Sequence, residues 1–73
     1  MMKLYKIDVS SAMNFEEEGV TYVIKAKKKP DIKKLAEYLT SVLWTGTVYV
    51  DAIEEMDGTE YRLTKTRTFE VDL

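Results

Sequence analysis

Six lysines fall within ten residues: Lys25, Lys27, Lys28, Lys29, Lys33 and Lys34. Only Asp31 opposes them, so residues 25–34 carry a net charge of +5. Ammonium groups at this density can grip phosphate oxygens, and free amides at the start of a helix would assist. The same lysines also suit a solvated sheet edge that discourages edge-to-edge aggregation. Nucleic-acid binding through this block is therefore the alternative reading rather than the leading one. The chain as a whole is acidic, with a net charge of −2, and no aromatic residue is interleaved with the lysines. The paired aromatic motifs of four-stranded RNA-binding sheets are also missing.

A second charged set has the opposite sign. Asp51, Glu54, Glu55, Asp57 and Glu60 lie in ten residues without a base, a net of −5. Their spacing does not match a calcium loop, and strand alternation sends Asp51 and Glu55 to the face opposite Glu54, so no metal site is expected. An acidic surface of this kind suits a basic protein groove, including one that ordinarily holds nucleic acid. Glu16-Glu17-Glu18 forms a third acidic block.

Catalytic chemistry does not assemble. The chain has no histidine and no cysteine, which removes the usual general base, thiol nucleophiles, disulfides and Cys/His zinc sites. Ser10-Ser11 has no base to activate it, and three glycines at 19, 46 and 58 make no phosphate loop. No enzyme, cofactor or metal is expected. The N-terminal residues lack the apolar run of a signal peptide, and no stretch approaches membrane-spanning length, so the expected location is the cytoplasm of the host cell.

The elements that must position these groups follow from periodicity. Seventy-three residues suffice for one domain, 1–73, with a single small core. Residues 2–9 alternate, with Tyr5, Ile7 and Val9 on one side, as a half-buried strand does. Residues 10–19 read as a connection in which Met13 and Phe15 tuck toward the core. Residues 20–28 form a second strand. Pro30 ends it and opens a helix over 31–43, because proline lacks an N–H and its φ suits the first turn. Ile32, Leu35, Ala36, Leu39, Val42 and Leu43 follow helical spacing and predict one apolar stripe, with a Lys33–Glu37 pair on the outer side. Trp44 follows as a cap on the core. Strands over 47–55 and from 59 onward then flank Asp57-Gly58, a strong signal for a two-residue hairpin with positive φ at both positions. That hairpin sets Glu55 opposite Glu60 and Ile53 opposite Arg62. Alternation from Phe69 through Leu73 ties the last strand into the sheet.

The order β-β-α-β-β predicts an α+β domain with one helix on one face of a four-stranded, largely antiparallel sheet. The uncovered face is then expected to display Leu4, Lys6, Thr21, Val23, Lys25, Lys27, Tyr49, Ile53 and Arg62. A contiguous patch of that composition marks a docking surface. The leading expectation is a small non-enzymatic domain that binds a larger host macromolecule, with a protein as the partner. Tyr49, Ile53 and Arg62 form its centre, and Glu54, Glu55, Asp57 and Glu60 its acidic rim. Phage and mobile-element inhibitor proteins often have this size and composition, an analogy of class only. A structural homodimer, joined through open faces or edges, is a further alternative.

Overall fold

A computed structural model describes residues 2–11, 19–43 and 46–71. Met13, Phe15, the Glu16-Glu17-Glu18 block, Trp44 and Leu73 lie outside the described residues, as does the side chain of Leu43. The chain forms strand β1 (Lys3–Ser11), strand β2 (Thr21–Ala26), helix α1 (Ile32–Leu43), strand β3 (Val48–Met56), a short helix α2 (Gly58–Leu63) and strand β4 (Thr66–Glu70). The four strands make one mixed sheet in the order β3-β1-β2-β4. β1 is antiparallel to β2 and β3, and β4 joins β2 in parallel, so β1 alone runs against the other three. No described helix is long and apolar enough to cross a membrane.

Helix α1 starts where Pro30 and Asp31 put it. The Lys34 amide donates to Asp31 Oδ2 at 3.2 Å and the Leu35 amide to the Asp31 carbonyl at 2.9 Å, so Asp31 caps the helix. Leu35 and Leu39 are sealed against the sheet, with Ala36 and Tyr38 partly buried beside them. Ile32 and Val42 belong to the same stripe by spacing yet are exposed, because they fall in the first and last turns, where the sheet gives less cover. Lys33 and Glu37 do not come within ion-pair distance. Near the end of the helix, the Thr40 hydroxyl donates to the Ala36 carbonyl at 2.8 Å and accepts from the Val48 amide at 2.9 Å. That bond rivets the helix to the first residue of β3.

The sheet face beneath α1 carries the core: Tyr5 and Ile7 from β1, Tyr22, Ile24 and Ala26 from β2, Val48, Val50 and Ile53 from β3, and Val71 beyond β4. Phe69 stacks on Tyr22 with ring centroids 6.4 Å apart, and the Arg67 guanidinium lies over Phe69. Arg67, a charged residue paired with buried Tyr22 in the β2–β4 register, thus lies against an aromatic neighbour.

Two sequence expectations fail here. The first is the hairpin. β3 and β4 occupy opposite edges of the sheet and run in the same direction, so no two-residue turn can join them. Asp57 is extended (φ −82°, ψ 162°) and its Oδ1 accepts from the Glu60 amide at 2.7 Å, making it the N-cap of α2. Gly58 is not among the glycines with positive φ, which are Gly19 and Gly46. The second is the facing of β3. Asp8 pairs with Ala52 while Val9 pairs with Val50, which leaves Asp51 as an extra, bulged residue. One inserted residue moves every later side chain to the other face, so Ile53 joins Val48 and Val50 in the core.

Candidate functional site

The second face of the sheet carries Leu4, Lys6 and Asp8 from β1, Thr21, Val23 and Lys25 from β2, Glu54 and Met56 from β3, and Thr66 and Thr68 from β4, since paired residues share a face. Helix α2 crosses it on the way from one edge to the other. Tyr61 reaches Thr68 with a 2.9 Å bond between hydroxyls, and Glu60 Oε1 lies 3.4 Å from Lys6 Nζ. On this same face Val23 is fully buried and Met56 nearly so. The Tyr61 phenol is held below its ordinary pKa of 10.0, chiefly by the Thr68 hydroxyl, then by Thr66, with the Lys25 charge adding to both.

The expected apolar docking face therefore does not exist as drawn. Ile53 points into the core at 6% exposure, and Val23, though on the second face, is fully buried. Tyr49 is 55% exposed on the second face beyond the bulge, and Arg62 is exposed on α2. Tyr49, Ile53 and Arg62 are not brought together by a hairpin.

The acidic rim fares differently. Glu54, Glu55, Asp57 and Glu60 are all exposed, as is Asp51, and they run along β3 into the start of α2. β3 is an edge strand, with its outer side free of any described strand. Two lysines of β1 attend this edge: Lys3 lies 3.9 Å from Glu55, while Lys6 lies 3.7 Å from Glu54 and is shared with Glu60. All of these groups are substantially exposed, and such pairs contribute about 0–1 kcal/mol each. Five carboxylates against two ammonium groups leave the edge negative. Among the described residues no three acidic groups converge as metal ligands would.

The lysine block is divided. Lys25 sits on the second face, opposite Glu70 and 3.6 Å from it, and Lys33 lies on the exposed side of α1. Lys27, Lys28, Lys29 and Lys34 instead line a cavity of about 630 Å³ at the junction of β2 and α1, with Ala26, Pro30 and Val71 as its apolar floor. Val71 is brought there by β4, whose end is pinned by the Val71 amide donating to the Lys25 carbonyl at 3.2 Å.

What sequence reading missed was α2 and the bulge. The signal for α2 was present: Asp57-Gly58-Thr59-Glu60 has an N-cap residue followed three positions later by glutamate, the capping-box spacing. The bulge has no comparable local mark.

No protein-family model matches the chain, and no curated protein or solved structure matches it.

Proposed function

We propose that this chain is a small non-enzymatic interaction domain that docks onto a larger protein through its acidic edge, in the manner of an accessory or inhibitor protein of a phage or mobile element. One observation carries the reading. Six of the seven residues expected to make the contact, Tyr49, Glu54, Glu55, Asp57, Glu60 and Arg62, are exposed on the continuous β3–α2 segment, beside a strand edge that no other strand pairs with among the described residues. The exception, Ile53, supports that strand from inside. A surplus of carboxylates along an open edge fits a basic groove, and the weak pairs to Lys3 and Lys6 can be exchanged for a partner's cations. Charge on this rim should govern the association rate and its salt dependence more than the residence time.

The test is a capture experiment with three baits in a lysate of the source organism: the unaltered protein, Glu54→Lys/Glu55→Lys, and Lys28→Glu/Lys29→Glu. The expected result is a protein retained by the first and third baits, lost with the second, and displaced by added polyanion. Finding no protein that distinguishes the second bait from the third would overturn the assignment to this edge.

A further inference from the structure

We infer that the cavity between β2 and α1 is a second, independent binding site, one that holds the phosphate groups of a nucleic acid without reading its bases. Four ammonium-bearing side chains, Lys27, Lys28, Lys29 and Lys34, surround it, against a single carboxylate, Asp31. That carboxylate is committed to the helix, since its Oδ2 accepts from the Lys34 amide. The cap also occupies part of the helix terminus, so the lysines rather than the helix dipole supply the attraction.

Two further observations separate this cluster from an ordinary charged surface. The strand lysines, Lys3, Lys6 and Lys25, each have a carboxylate within 3.4–3.9 Å, whereas none of the four cavity lysines has one among the described residues. Lys33 and Lys65 also lack such a partner, but of the unpaired lysines only these four surround one cavity, which leaves them together open to an external anion. The three-lysine segment is also anchored at both ends, by buried Ala26 and buried Pro30, so its backbone is held in place while the side chains project. Like charges held close repel, and a bound phosphate relieves that repulsion.

The chemistry of the lining sets the ligand class. Its floor is aliphatic, with no aromatic ring on which a base could stack and no amide side chain to read a base edge. Recognition is then confined to phosphate oxygens. A volume of about 630 Å³ admits a nucleotide-sized segment of backbone.

Fluorescence anisotropy with a labelled 12-nucleotide single strand tests this, using two unrelated sequences and salt varied from low to physiological strength. With four phosphates neutralised, log K should fall against log salt with a slope of about −3. Both sequences should bind alike. Lys28→Glu/Lys29→Glu should lower affinity at least tenfold, while Lys33→Glu/Lys65→Glu, equal in charge change but outside the cavity, should lower it less than threefold. Circular dichroism of each variant verifies the fold. Absence of binding at low salt overturns the inference, as does equal loss in the two double variants. Binding of inorganic pyrophosphate without any binding of the strand overturns it as well. Because this site and the acidic edge are altered separately, either can fail alone.

Discussion

The two faces of the sheet are closed by different means. Under α1 the closure is apolar: Leu35 and Leu39 meet aromatic and aliphatic residues of three strands, and burial of that surface is the main stabilising term. On the second face α2 has no fully buried side chain, while Val23 of that face is sealed. That face is held by the Tyr61–Thr68 bond, the Lys6–Glu60 pair and the Asp57 cap. The contrast shows that covering a face and packing a face are separable. The first is closed by packed side chains, the second is crossed by an element anchored through polar contacts.

Four experiments can break or sharpen this contrast. Leu35→Ala removes a fully buried side chain from the packed face and should cost about 2–5 kcal/mol in denaturant unfolding. Val23→Ala, on the second face, should cost less, about 1–2 kcal/mol, because it removes two carbons where Leu35→Ala removes three. Equal losses would mean that the second face is packed as tightly as the first. Gly58→Ala should stabilise by about 0.4–1 kcal/mol, since Gly58 has no positive φ and an added methyl meets nothing within 4 Å. A hairpin with positive φ at this glycine requires the opposite sign.

The smallest global effect belongs to Tyr61→Phe, which should speed amide exchange in α2 and leave protection under α1 unchanged. It also carries a pH signature. The closed state lowers the Tyr61 pKa, chiefly through Thr68, so it favours the phenolate relative to the open state. The added stability is complete above the ordinary tyrosine value and is lost as pH falls through the lowered one. Exchange from α2 should therefore slow, relative to the phenylalanine variant, as pH rises toward 10. Thr68→Val should remove most of that dependence.

Much of the architecture was legible in the sequence because it is periodic. β1, β2 and α1 announce themselves through alternation, through Pro30-Asp31 and through Leu35 and Leu39, and the observed helix begins one residue after the expected start. The second half was harder because its cues are ambiguous or non-local. Asp57-Gly58 serves equally as a turn and as a helix start, and only the partner of β4 decides between them. The bulge at Asp51 depends on pairing with β1, yet it alone takes Ile53 from the expected contact surface into the core. At the candidate sites, the charged residues were visible as blocks. Their sorting was not: Lys25 leaves the basic group because the β2–β4 register sets it beside Glu70. The floor of the cavity likewise needs Val71, which is distant in sequence from the lysines.

The late arrival of β4 has a consequence for how the molecule is made. Thr21 must wait for Thr66, and Ile24 for Phe69, so a nascent chain emerging from the ribosome presents β2 with a bare margin until residues 66–70 have followed it out. Truncation before Thr66 would leave that margin permanently open to other chains. It would also remove Val71 from beneath the lysines, so the cavity takes this shape only after β4 has docked.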